Sequence, residues 1–283
     1  MKSKRAKSLQ RVGGKTMLEM ICKTAESIST KITLIVGFDK NSIINESKSF
    51  DFEISTCEQA SPIGTGDAVK CGINEVDDAD KVLVLYGDVP LIKKETLENL
   101  VSIDDKSLTI LSTKVDNPFG YGRVIKDNDG NVTQIIEEKD ASNADKKISE
   151  IFTGILCCNK VLLAEALKEI KNDNAAGEYY LTDIVSIINK KGFKIKTCVV
   201  PVEEVKGANT KKELSELEET FRKMKSEDLL EMGITISDPN RVDVRGKVSA
   251  GTDCNIDVNV ILDGVVKLGD NVSIGPNTCL LYT

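Results

Sequence analysis

From residue 16 to about residue 200, apolar runs take turns with segments whose apolar positions recur at helical spacing. Ile32 to Val36, Val82 to Tyr86, Leu108 to Thr113, Val132 to Glu137, Ile151 to Cys157 and Ile195 to Val200 predict strands. Met17 to Ile28, Ala68 to Val76, Glu95 to Val101, Val161 to Ile170 and Leu181 to Asn189 predict helices between them. This alternation predicts an α/β fold, a mainly parallel sheet with helices on both faces. Further on, Leu214, Leu217, Phe221 and Met224 share one helical stripe amid Glu and Lys, and Gly233 stands where a helix would end, so residues 210–232 read as a connecting helix.

After Gly233 the period changes to six. Val244, Ala250, Ile256, Leu262, Leu268, Ile274 and Leu280 form one series, and Val242, Val248, Cys254, Val260, Val266, Val272 and Thr278 form a second, two positions earlier. A hexad held in one register predicts a parallel β-helix, in which each repeat supplies one face of a prism and its apolar members stack inside. An antiparallel meander is the plainer alternative, but its alternation drifts out of phase at every turn. The hexads amount to about two coils. They run into Leu280-Leu281-Tyr282-Thr283 without a polar cap, so the reading expects an interrupted chain at this end.

One apolar run carries candidate chemistry. Lys81-Val82-Leu83-Val84-Leu85-Tyr86 leads to Gly87-Asp88-Val89-Pro90, and in open α/β sheets ligands gather at the carboxyl ends of such strands. Asp88 is therefore a candidate for facing a cation, against the alternative of an aspartate that caps the following turn. Gly13-Gly14-Lys15-Thr16 suggests a phosphate loop, but no strand precedes it and the Walker spacing is absent, so it reads as the turn into the first helix.

Composition narrows the chemistry. Histidine is absent, which removes Ser-His and Cys-His nucleophile pairs, His-ligated zinc and an imidazole base. Such a chain suits a reaction whose nucleophile is already an anion and whose need is positioning and charge neutralisation by a hard metal, as in phosphoryl or nucleotidyl transfer. The 8 cysteines have no Cys-x-x-Cys spacing and read as small apolar residues. A net charge of −7, with 38 basic residues scattered among 45 acidic ones, argues against nucleic acid as a partner. No run approaches the roughly 20 apolar residues that span a bilayer, and Met1-Lys2-Ser3-Lys4-Arg5 lacks a signal-peptide core, so no membrane insertion and a cytoplasmic location are expected.

Several ordered motifs carry a resemblance. Gly64-Thr65-Gly66, Tyr86-Gly87-Asp88-Val89-Pro90-Leu91, Gly120-Tyr121-Gly122-Arg123, Glu137-Glu138-Lys139-Asp140, Gly177-Glu178-Tyr179-Tyr180-Leu181-Thr182-Asp183 and Val205-Lys206-Gly207-Ala208-Asn209 precede the hexads. Together they resemble the bacterial bifunctional enzymes that join N-acetylglucosamine-1-phosphate uridyltransferase to glucosamine-1-phosphate acetyltransferase. The resemblance implies a Rossmann-like nucleotidyltransferase domain over 1–208, a linker helix over 209–233 and part of a left-handed parallel β-helix over 234–283. It implies uridylyl transfer from UTP to N-acetylglucosamine-1-phosphate with Mg2+, in the biosynthesis of UDP-N-acetylglucosamine for the cell wall. Side-by-side β-helices imply a homotrimer.

Carried over residue by residue, Asp88 and Asn209 match the magnesium ligands, and Lys7 matches a loop lysine that neutralises triphosphate charge. The alternative for Lys7 is one more solvated cation in a basic stretch. Gln59, Gly64 and Thr65 match the positions that recognise uracil, flanked by Tyr86 and Gly87. Gly122, Glu137, Tyr180 and Thr182 match the sugar-phosphate side. Taken singly, these are better explained as turn glycines, solvated acids and helix caps; their joint order reverses that and favours a site.

Three departures stand out. Ala6 replaces a proline of the pattern, which predicts less local rigidity around Lys7. Phe152 replaces an asparagine near the sugar, and a phenyl ring cannot make an amide's hydrogen bonds. The resemblance also places a buried strand and a glycine-rich loop before Met1 and the acetyl-transfer site beyond the last hexad. The sequence therefore predicts weak or absent uridylyl transfer and no acetyl transfer. A non-catalytic remnant, an oligomerising β-helix module, and a nucleotidyltransferase for another sugar phosphate are the alternative readings.

Overall fold

The computed structural model describes residues 1, 3–76, 79–103 and 107–281. Tyr282 and Thr283, part of the uncapped end noted above, lie outside the described residues. The chain divides into two compact units, one of Lys4–Leu9 with Leu18–Lys206, the other of Met1–Ser3, Gln10–Met17 and Gly207–Thr283.

In the second of these, β1 (Arg11–Val12) and β2 (Lys15–Thr16) form a two-residue hairpin, with Arg11 opposite Thr16. Gly13 and Gly14 sit at φ 56° and 83°, the paired positive angles a type I′ turn demands. The Gly-Gly-Lys-Thr motif is thus hairpin chemistry. Helix α1 (Met17–Glu26) follows directly, its first N–H donating to the Gln10 carbonyl at 2.9 Å.

The larger unit continues through β3 (Thr33–Val36), α2 (Lys40–Ser47), β4 (Ser55–Glu58), α3 (Thr65–Gly72), β5 (Lys81–Val84), α4 (Lys94–Ser102), β6 (Leu108–Lys114), β7 (Arg123–Lys126), β8 (Val132–Ile136), β9 (Glu150–Asn159), α5 (Lys160–Glu169), α6 (Asp183–Lys190), β10 (Lys196–Val199) and α7 (Val202–Val205). Strands β3 and β4 pair in parallel as a separate ribbon. The main sheet runs β10-β6-β9-β7-β8, with β5 also on β9.

This sheet is mixed, which corrects the expectation of a mainly parallel one. Among its described residues only β10 and β6 pair in parallel; β9 runs antiparallel to β5, β6 and β7, and β7 to β8. The apolar runs that suggested parallel strands report burial on both faces, and a central antiparallel strand meets that condition equally. Along β9, Phe152, Leu156 and Cys158 enter one core, built with α5 and α6. Ile155 and Cys157 enter the other, with α1 and α4. Helices do cover both faces. Strand β4 and the helix α2 escape the hydrophobic pattern because Ser55-Thr56-Cys57-Glu58 and Lys40-Asn41-Ser42-Ile43 are mainly polar, with no more than one aliphatic residue in each.

In the other unit, α8 (Lys211–Glu231) starts at a Thr210 cap whose hydroxyl accepts the Glu213 N–H at 3.1 Å. Gly233, at φ 86°, lets the chain leave it. Then come β11 (Thr235–Ile236), β12 (Val242–Ser249), β13 (Asn255–Ile256), β14 (Val260–Lys267), β15 (Ser273–Ile274) and β16 (Cys279–Leu281). They form two three-stranded parallel sheets, β11-β13-β15 and β12-β14-β16. Val242 pairs with Val260, Asn255 with Ser273 and Ile261 with Cys279, each a step of three hexads. Both apolar hexad series, Thr278 aside, pack into one core with Leu229 and Ile234. Asp253, Asn259, Asn271 and Asn277 take φ near 60°, the left-handed corners that short polar side chains tolerate. Among the described residues, no helix is long and apolar enough to cross a membrane.

Candidate functional site

The candidate residues of the larger unit gather beyond the end of β5. The turn after it closes through the Val89 N–H and the Tyr86 carbonyl at 3.2 Å, and the Asp88 carboxylate pairs with the Lys7 ammonium. The aspartate is therefore engaged with a cation. Lys7 opens a 3-10 turn, Lys7–Leu9, whose preceding residue Ala6 donates its backbone N–H to Asp39 Oδ2 at 3.0 Å. Proline at that position would have no such donor. The rigidity expected to be missing around Lys7 is thus supplied by a hydrogen bond. Asp39 is held at φ 56°, and bonds from Ser42 and Ala6 push its carboxyl below the ordinary range.

Tyr86 joins this turn to α3. Its hydroxyl bonds Thr65, and burial pushes it up to about 12 despite that bond. Its ring lies against Gly154, at φ 88°, where an added Cβ would come within 2.4 Å of the ring. A glycine inside a strand is the sequence sign of such close approach. Thr65 Oγ1 accepts the Leu181 N–H at 3.1 Å, and Gly66 donates to the Tyr179 carbonyl at 2.8 Å. Gly64, at φ 134°, packs on the Tyr179 backbone. Gln59 Nε2 donates to the Gly64 carbonyl at 3.1 Å and to Asp67 Oδ2 at 2.8 Å. Gly87 stands over Ser8 and Leu18.

The chain of contacts continues to the remaining candidates. Thr182, buried at the start of α6, donates its hydroxyl to Glu137 Oε1 at 3.0 Å. An added Cβ on Gly122 would come within 3.6 Å of the Glu137 carboxyl and 2.8 Å of Ile135. Burial raises the Glu137 carboxyl, Asp183 and Asp140 add to this, and the Thr182 bond opposes it. Burial likewise pushes Tyr180 up to about 12, reinforced by Asp140 and Glu137. Below them Arg123, 1 % exposed, pairs with Glu138 at 2.6 Å and also bonds the Tyr121 carbonyl, while Glu138 Oε2 accepts the Gly120 N–H at 3.2 Å. That pair fixes the Gly120–Gly122 turn against the segment that follows β8 and carries Glu137, and the guanidinium holds Glu138 below the usual carboxylate range.

Phe152 belongs to the core, 6 % exposed, with its N–H on the Gly122 carbonyl at 2.9 Å. It supports the turn from beneath through its backbone. Asn209 lies in the other unit, just before α8, its N–H donating to Glu213 Oε2 at 2.7 Å. With the Thr210 cap this is a variant of the capping box, in which Glu213 reaches the N–H one residue before the cap. Among the described residues, no group of three or more Cys, Asp or Glu side chains is arranged to enclose a metal. A lone carboxylate such as Asp88 still fits magnesium, which keeps its waters and is completed by substrate phosphates.

Mixed sheet, covering helices and polar side chains gathered beyond a strand's carboxyl end are the arrangement of a nucleotidyltransferase-like α/β protein. Residues 1–142 match the MobA-like NTP transferase domain, and the chain belongs to that family. It is 41 % identical over 276 residues to the bifunctional protein GlmU of Psychrobacter sp. (strain PRwf-1), covering 97 % of this chain and 60 % of that protein. It is 42 % identical over 287 residues to GlmU of Methylococcus capsulatus, covering 100 % and 62 % respectively. The chain thus spans about 60 % of the length of these curated relatives. The nucleoside-diphosphate-sugar pyrophosphorylase of Vibrio cholerae RC9 shares the fold at a TM-score of 0.60 and 17 % identity, over 77 % of this chain and 93 % of that one.

Proposed function

We propose that the chain catalyses uridylyl transfer from UTP to N-acetylglucosamine-1-phosphate, releasing pyrophosphate. The observation that carries this reading is the set of contacts that joins Gln59 to Gly64, Thr65 to both Tyr86 and the Leu181 N–H, and the next residue, Thr182, to Glu137 beside Gly122, with the Lys7–Asp88 pair at the strand end. The likeness to GlmU proteins over almost the whole chain supports the choice of substrates.

In this reading a phosphate oxygen of the sugar phosphate forms a bond to the α-phosphorus of UTP, and the bond to the bridging oxygen of the departing pyrophosphate breaks. The nucleophile is already anionic, so no general base is required, which suits a chain with 0 histidines. Lys7 offsets triphosphate charge. Asp88 would hold Mg2+, a hard cation that neutralises phosphate charge when bound. Gln59, Gly64 and Thr65 address the base. Glu137 and Thr182 hold the sugar phosphate, with Tyr180 and Gly122 shaping that side.

The hexad region is read as a left-handed parallel β-helix, supported by the three-hexad register and the polar corners. Association as a homotrimer through it, and action in the cytoplasm, complete the reading.

Magnesium-dependent pyrophosphate release from UTP and the sugar phosphate is the test. The turnover expected, weak as the sequence predicts, falls by roughly a hundredfold or more in Asp88→Asn, the scale of losing one preorganised charge-stabilising group. Release unaffected by Asp88→Asn, or turnover only with a different sugar phosphate, would refute the assignment.

A further inference from the structure

Gln59 is an amide whose two ends differ in what they can offer a ligand. Nε2 faces the Gly64 carbonyl and the Asp67 carboxylate, at 3.1 and 2.8 Å, and both of these partners only accept. The amide orientation is therefore fixed by chemistry, with the amino group turned inward and spent. Oε1 is the end left over: among the described residues no group donates to it. The residue lines a cavity with Gly37, Phe38 and Pro62, and the Phe38 ring there is 75 % exposed, a face on which a base can stack.

The geometry points to Asp67 as a positioning residue for base selection: by holding the Gln59 amino group, it presents only a carbonyl oxygen to the nucleobase and so favours uracil over cytosine. Uracil offers a donor at N3–H, which such an oxygen accepts. Cytosine offers a lone pair at N3, which the same oxygen repels. An amide free to turn over would serve either base and discriminate between neither. This inference rests on the reading of the crevice as a UTP site. It adds a residue that the sequence motifs do not mark, because Asp67 stands inside α3 and reaches Gln59 only across the intervening loop.

The experiment compares stabilisation of the full chain by UTP and by CTP, each with magnesium, in the wild type, Asp67→Ala and Asp67→Asn. Asp67→Ala is expected to shrink the ratio of UTP to CTP affinity by roughly tenfold, the value of about one hydrogen bond. Asp67→Asn keeps an acceptor oxygen for Nε2 and is expected to retain most of the preference. A merely structural role would weaken both nucleotides alike, and an unchanged ratio in Asp67→Ala overturns the proposal while leaving the nucleotide site intact. Failure of both nucleotides to bind the wild type would overturn the site itself, and this inference with it.

Discussion

Gly64→Ala is expected to lower the melting temperature by roughly 5 to 20 °C and to abolish stabilisation by UTP. At φ 134° an alanine is strained, at a cost of about 1 to 3 kcal/mol. Its Cβ would come within 2.4 Å of the Tyr179 carbonyl oxygen and 2.6 Å of the Tyr179 nitrogen. Those are backbone atoms, and both are already committed: the carbonyl accepts from Gly66 and the N–H donates to Ile63. Relief cannot come from a rotamer change, so overpacking adds about 1 to 3 kcal/mol. A chain of this size loses roughly 2 to 4 °C per kcal/mol. The displaced loop also carries the carbonyl that orients Gln59 and the hydroxyl that meets Tyr86. Thermal denaturation with and without UTP and magnesium checks this, and a variant that melts and binds like the wild type would show that the close approach is not required.

The second large effect is expected from Glu137→Gln, and its two halves run in opposite directions. Burial raises the folded-state pKa of Glu137. A carboxyl raised in this way binds its proton more tightly folded than unfolded, so it costs stability as pH climbs from about 4.3 through the folded value. Glutamine keeps the acceptor for Thr182 without the charge. The variant should therefore melt higher than the wild type near neutral pH, with the gain vanishing near about pH 4. Affinity for the sugar phosphate should fall roughly ten- to hundredfold, as expected for a lost hydrogen bond to a charged group. A melting curve that moves the same way at every pH would contradict the assigned cause. Unaltered sugar-phosphate affinity would remove Glu137 from the site.

Much of this was legible before any coordinates. Val82 to Tyr86 and the hexads announced themselves because burial on both faces, or stacking every six residues, leaves a strong apolar record. Strand direction was not legible. An interior antiparallel strand such as β9 writes the same apolar run as a parallel one, so the mixed sheet appeared only in the pairing. Ser55–Glu58 and Lys40–Ser47 went unread because half-exposed elements leave little apolar trace.

In the crevice, the motifs named most of the residues that touch one another, since glycines with positive φ and polar groups at strand ends are conspicuous. The supporting contacts were not. Asp39 on the Ala6 N–H, Arg123 with Glu138, Gly154 beneath Tyr86 and Asp67 on Gln59 each join positions distant in sequence or hidden in a loop. Phe152 illustrates the converse. The sequence marks it as a missing amide, yet in the fold its ring fills the core and its backbone alone reaches the Gly122 turn.

The central claim, that Asp88 stands at a site for a metal-bound nucleoside triphosphate, is tested most directly by melting the wild type and Asp88→Asn with magnesium and increasing UTP. At about a hundredfold excess over the dissociation constant, a ligand bound only by the folded state adds about 2.7 kcal/mol, or roughly 5 to 10 °C for a chain of this length. The expected outcome is that rise in the wild type and its loss in the variant. A wild type that stays folded but does not shift, or a variant that shifts just as far, would contradict the account.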